Sequence, residues 1–147
     1  MRILGIDYGT KRLGLALSDE NGILASPLPS YLRRGHPQDL TFLVQLIARK
    51  EAKRIVIGLP KNMNGSLGTM AKEVLSFATA LRERTSVPVV PFDERLTTFE
   101  ADRLLVQANV SRTRRKGLRD RLAAVLILQG YLESLRNHPA GGDLSSK

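Results

Sequence analysis

The chain has 147 residues, no cysteine and two histidines, and its 23 Lys and Arg against 14 Asp and Glu give a net charge of +9. That length supports a single domain with its own core. The composition excludes disulfide and thiolate chemistry and leaves a zinc site little beyond His36 and His138 to build from. No run of 18 apolar residues marks a membrane span, and the chain opens on strand-like sequence without a basic leader, so the expectation is a soluble cytoplasmic protein with no membrane contact. Its basicity suits a polyanionic partner, nucleic acid first among them.

In chain order, residues 2 to 7 are apolar on both faces, as a central strand would be. Residues 12 to 18 alternate, with Leu13, Leu15 and Leu17 on one face and Gly14, Ala16 and Ser18 on the other, and the two runs are spaced to pair as a hairpin around Gly9. After the turn signal Asn21-Gly22, residues 23 to 29 read as a third strand that Pro27 and Pro29 confine to a sheet edge. From Pro37 the period becomes helical, through Leu40, Leu43, Val44 and Ile47 to the pair Arg49-Lys50.

"RIVIGLP" is then a short apolar strand, and Met70, Val74, Phe77, Ala78 and Leu81 give a second helix. "VPVVPFDER" is a strand whose prolines argue for an edge. Thr97 and Glu100 fit a capping box opening a helix that stops near Asn109, and Leu122, Val125, Leu126 and Leu132 carry a last helix to about Arg136. The expected fold is α/β: a ribonuclease-H-like mixed five-stranded sheet, three strands antiparallel and two parallel, flanked by helices on both faces. One domain spans residues 1 to 136, and 137 to 147 form a disordered tail.

Most of the fourteen acids have ordinary settings: Asp39, for example, lies near a helix start and Asp19 in a turn. Four do not. Asp7 ends the first strand, Asp93 and Glu94 end the last, and ligands of α/β sheets collect beyond strand ends. Asp120 shares a helical stripe with Ala123, Ala124, Ile127 and Tyr131, which turns it inward over small residues. A carboxylate in apolar surroundings costs several kcal/mol unless a cation, a proton or donors compensate. Acids in three separate places, without ligating thiols or histidines, point to a hard cation, Mg²⁺ or Mn²⁺. Two such ions roughly 4 Å apart can activate water and stabilise the leaving oxygen of a phosphodiester.

"GIDYGTKRLGLALSD", "VIGLPKNMNGS", "FDERLTT" and "KGLRDRLAAVLILQGYL", in this order, resemble the YqgF (RuvX) family of ribonuclease-H-like nucleases across about residues 1 to 136. The resemblance implies a divalent-metal-dependent nuclease maturing the 5′ end of pre-16S rRNA, akin to the RuvC type of Holliday-junction resolvase, and carries the acidic positions onto Asp7, Glu94 and Asp120. Related resolvases hold an acid at the end of the strand that here reads Gly58-Leu59-Pro60. The second ligand must then come from Glu94, favoured for its reach and its match to the family, or from Asp93.

Lys11, Arg12 and Arg95 flank the acids and are candidate phosphate contacts, as are Lys61, Asn62 and Asn64, with Ser66, in the loop shaped by Gly58 and Pro60. Arg112, Arg114, Arg115, Lys116, Arg119 and Arg121 form the candidate grip on nucleic acid, expected to be mobile when free and ordered on binding. With seven Phe and Tyr and no Trp there is no stacking platform, so recognition by shape and backbone is expected. Paired cuts in a four-way DNA junction would call for a homodimer, and no exposed apolar helix face marks one. Two other readings are a non-catalytic RNA-binding ribosome-assembly factor and, from "DYGT", half of a sugar-kinase-like ATPase. The second lacks a further phosphate loop and domain.

Overall fold

The computed structural model describes residues 1 to 95 and 111 to 137, and for 112 to 121 the backbone alone. The helix expected from Thr97 and the tail after residue 137 lie outside the described residues. Strands β1 (Arg2–Tyr8), β2 (Arg12–Ser18) and β3 (Ala25–Leu32) form an antiparallel meander. Helix α1 (His36–Lys50) leads to β4 (Ala52–Leu59), α2 (Thr69–Arg82) to β5 (Val89–Asp93), and both strands run parallel to β1 in one sheet of order β3-β2-β1-β4-β5. The proline-bearing strands β3 and β5 are its two edges, where a missing N–H breaks no ladder. Strand β3 runs three residues beyond its expected end, because the ladder Leu13↔Tyr31 and Arg12↔Leu32 continues past both prolines.

Period-two alternation divides the core in two. Leu4, Ile6 and Tyr8 of β1, Leu13 and Leu15 of β2, and Ile55, Ile57 and Leu59 of β4 face α1 and α2. Helix α1 contributes Leu40, Leu43, Leu46 and Ile47, a stripe rotated slightly from the expected one, so that Val44 sits at its margin. On the opposite face Ile3, Ala16, Val56 and Val90 pack against the last helix, α3 (Arg112–Asn137), through Ala124, Ile127, Leu128, Tyr131 and Leu132. Alternation puts Gly5 and Asp7 of β1, Gly58 of β4 and Glu94 just beyond β5 on this α3 face.

That face is lined with small residues, and α3 lies close on it. A Cβ on Gly5 would stand 2.8 Å from the Cβ of Leu128, and one on Gly58 would stand 2.5 Å from Cδ1 of Ile127. The glycines therefore set the height of the helix above the sheet.

The basic stretch is the one clear departure in secondary structure. It is helical from Arg112, continuous with the apolar stripe. Arg, Lys and Leu are good helix formers, and extending a helix already anchored by packing avoids the cost of a new nucleus.

Candidate active site

Asp7 lies near the C-terminal end of β1 and Glu94 just beyond that of β5, and among the described residues no three metal-ligating side chains come together. Asp7 pairs in register with Gly14 of β2, and a Cβ on Gly14 would lie 3.3 Å from the Cβ of Asp7 and 3.6 Å from that of Ala124. Asp7 is thus half-buried between the hairpin and α3. Glu94 follows β5, and its backbone N–H donates to the carbonyl of Leu59 at 3.1 Å, tying it to the end of β4. Its side chain crosses Gly58, whose imagined Cβ would meet Cγ of Glu94 at 2.9 Å. Only a residue without a side chain leaves that path open.

Burial, followed by the negative charges of Asp7 and Asp93, pushes the Glu94 carboxyl from its ordinary 4.5 up to about 7. Asp7 therefore lies near enough for its charge to raise the Glu94 carboxyl, a perturbation of the kind that marks candidate functional sites.

Asp93 points elsewhere. It receives a bidentate contact from Arg95, with Nη2 at 2.7 Å and Nε at 3.1 Å, and the Arg95 guanidinium, chief among several causes, holds its carboxyl below the usual range. Arg95 also donates to the carbonyls of Asn62 and Met63. Its role in this structure is to brace the end of β5 against the 60–68 loop.

That loop is largely satisfied within itself. Asn64 Oδ1 accepts from both the N–H and the hydroxyl of Ser66, at 3.0 and 2.6 Å. Asn62 Nδ2 donates to Ser66 Oγ, and the N–H groups of Asn62 and Gly65 close turns inside the loop. The candidate phosphate contacts Asn62, Asn64 and Ser66 thus bond one another, while Lys61 stays close enough to Asp93 to favour its charge.

Lys11 and Arg12 are exposed on the β1–β2 turn. Asp120 lies in α3 one turn before Ala124, the residue level with Asp7; its side chain lies outside the described part, as do those of the basic residues 112 to 121. At about 1.5 Å per residue, the continuous helix carries Arg112 about 18 Å along its axis from Ala124. Since Ala124 packs beside Asp7 and Leu128 beside Gly5, α3 runs antiparallel to β1, and its first three turns extend past the strand end that bears the acid.

Sequence reasoning passed over one group. Asp39 is wholly buried, held by Arg33 Nε at 2.9 Å and by the N–H of Arg34 at 2.9 Å. Its only signal in the sequence is the doublet Arg33-Arg34 shortly before it, which reads equally well as a solvated turn.

A model described as "RuvX: Holliday junction resolvase" matches residues 1–134. The chain belongs to the RuvX family. A relative from Thermoanaerobacter pseudethanolicus is 46% identical over 138 residues, covering 93% of this chain and 99% of its own. Another, from Moorella thermoacetica, is 49% identical over 135 residues, covering 92% and 96%. Both carry the name "Putative pre-16S rRNA nuclease". RuvC from T. thermophilus, solved in complex with Holliday junction substrate, matches this RuvX chain with a TM-score of 0.59 at 15% identity, over 92% of this chain and 95% of that one. At that identity the likeness is one of fold, and it agrees with the ribonuclease-H-like sheet read from the sequence. Among the described residues no helix is long and apolar enough to cross a membrane.

Proposed function

We propose that this RuvX chain is a divalent-metal-dependent endonuclease that hydrolyses phosphodiester bonds of structured nucleic acid, with the 5′ end of pre-16S rRNA as its substrate. The observation that carries the reading is that Glu94, laid across Gly58, comes close enough to Asp7 for the Asp7 charge to help raise its pKa. The donor set is all oxygen, which fits Mg²⁺ or Mn²⁺. Asp7 and Glu94 are the ligands supported by geometry, and Asp120 is the third by its place one turn before Ala124. Asp93, engaged by Arg95, is the weaker alternative to Glu94. A bound ion of this kind supplies a hydroxide from water and a counter-charge for the leaving oxygen.

The protein's own contribution is placement. Asp7, at the end of β1, and Glu94, just beyond β5, would hold the ion, while Lys11 and Arg12 on the adjoining turn would meet the phosphate beside the cut. The basic opening of α3, from Arg112 to Arg121, extends past the same end of the sheet and suits the backbone of a duplex or folded RNA. Arg95, Asn62 and Asn64, braced among themselves, shape the site's wall and contribute less to binding.

Asp7→Asn tests this. It abolishes Mg²⁺- or Mn²⁺-dependent cleavage while nucleic-acid affinity stays near that of the parent; undiminished cleavage would overturn the carboxylate-metal mechanism, and metal-independent RNA binding without cleavage in the parent would favour an assembly factor. Cleavage of a pre-16S 5′ fragment beside a synthetic four-way junction, with the oligomeric state measured in parallel, separates rRNA maturation from junction resolution. Faster cutting of the junction by a homodimer would overturn the rRNA assignment.

A further inference from the structure

Behind the candidate active site, on the α1/α2 face, a cation and an anion are buried together beneath the β1–β2 turn. Asp39 has no exposed side-chain surface, and Arg33 retains 12%. The Arg33 guanidinium does two things at once: Nε donates to Asp39 Oδ2 at 2.9 Å, and Nη1 donates to the carbonyl of Gly9 at 2.9 Å. It also lies over the ring of Tyr8, 4.5 Å from the centroid. The backbone N–H of Arg33 donates to the carbonyl of Lys11, again at 2.9 Å. One residue thus holds the side chain directly after Asp7 and both ends of the turn that follows.

Stability alone is a poor reason for this arrangement. Desolvating two ions costs several kcal/mol each, and replacing a buried pair by well-packed apolar residues is often neutral or stabilising. What a fork-shaped cation offers in place of stability is direction: its donors fix the carbonyl of Gly9 relative to α1, which carries Asp39. Asp7 and Tyr8 are neighbours on opposite faces of β1, so any shift of Tyr8 or Gly9 tilts Asp7 on the other face.

We infer that Arg33, locked by Asp39, is a positioning residue that sets the placement of Asp7 and of the Lys11-Arg12 turn for metal and phosphate. The inference rests on the nuclease reading above for its consequence in activity, and on hydrogen bonding alone for its consequence in the turn. Groups that position a metal ligand without touching the ion typically change metal affinity by about 10- to 100-fold when removed.

Two variants test it, Arg33→Lys, which keeps the charge but loses the planar fork, and the paired change Arg33→Met with Asp39→Leu, which removes both ions. Each is measured for its melting transition, for amide exchange at Gly9, whose N–H bonds the carbonyl of Arg12 in the parent, and for cleavage over a Mn²⁺ titration. In Arg33→Lys the melt stays cooperative and exchange at Gly9 quickens about tenfold. The Mn²⁺ needed for half-maximal cleavage rises about 10- to 100-fold, while the KM for nucleic acid changes little.

A purely structural pair would lower the melting temperature and leave the Mn²⁺ requirement of the folded fraction untouched, and that result overturns the inference. Parent-like exchange at Gly9 in both variants overturns it as well. If the parent itself cuts nothing with any metal, the nuclease reading falls on its own, and the exchange at Gly9 still decides whether Arg33 holds the turn.

Discussion

Asp39 and Glu94 are both carboxylates drawn into the protein, and their carboxyls move in opposite directions. Burial pushes Asp39 up, yet the Arg34 N–H, the Arg33 guanidinium and the Tyr31 hydroxyl outweigh it and hold the pKa below the ordinary value. Burial is the largest cause at Glu94, and there the charges of Asp7 and Asp93 reinforce it, so the carboxyl rises to about 7. Where burial acts on both acids in the same direction, their neighbours decide whether it prevails. On one face of the sheet the carboxylate meets donors and a guanidinium, and on the other Glu94 meets the negative charges of Asp7 and Asp93.

The largest expected break in this contrast is Asp39→Ala, which leaves the Arg33 guanidinium buried beside apolar rings. A loss of about 3–5 kcal/mol is expected, read from the urea midpoint at neutral pH.

The two acids also oppose each other in pH. Between about 4.5 and about 7 the folded protein keeps a proton on Glu94 that the unfolded chain releases, so in metal-free buffer stability falls by up to about 3 kcal/mol as pH rises through that window. Asp39 acts in the other direction: its lowered pKa adds stability above the ordinary carboxylate value, and this is lost on acidification through its folded pKa. Glu94→Gln flattens the first slope and leaves the second, and denaturant titrations from about pH 2 to pH 8 show whether it does. In Asp7→Asn the Glu94 pKa falls back toward 4.5, visible by NMR titration.

Gly58→Ala sharpens the contrast sterically, because the new methyl group meets Ile127 and Glu94 below 3 Å. The expected cost is about 1–3 kcal/mol of stability, with cleavage reduced further than the melt would suggest. The smallest effect is Asn64→Ala, which removes the acceptor for two donors of Ser66 in an exposed loop and costs about 1 kcal/mol in a thermal melt, leaving the contrast intact.

The sheet was readable because its signals are local. Alternation in residues 12 to 18, the apolar run of residues 2 to 7 and the prolines at 27, 29, 88 and 91 follow from side-chain period and a missing donor, and the observed sheet order and ladders agree with them. Asp7 was equally plain, an acid at the end of an apolar strand. The engagement of Arg95 with Asp93 was legible only as one option among several, since adjacent charges in a sequence do not say which will point outward. Asp39 was missed because its partners are brought to it by the return of β3 against β2, an event with no periodic trace. The helical start of α3 was missed because a run of like charges reads as solvated, while the packed stripe that anchors the helix lies downstream.

From the sequence by itself came the α/β order, the edge strands, the family and the candidate acids, because period, turn chemistry and motif are written along the chain. Only the tertiary structure decided that Glu94 lies across Gly58 toward Asp7 while Asp93 turns to Arg95, and that Arg33 reaches Gly9 from beneath. Those relations depend on which strands become neighbours and on how close α3 can come, and both are set by packing between segments far apart in the chain.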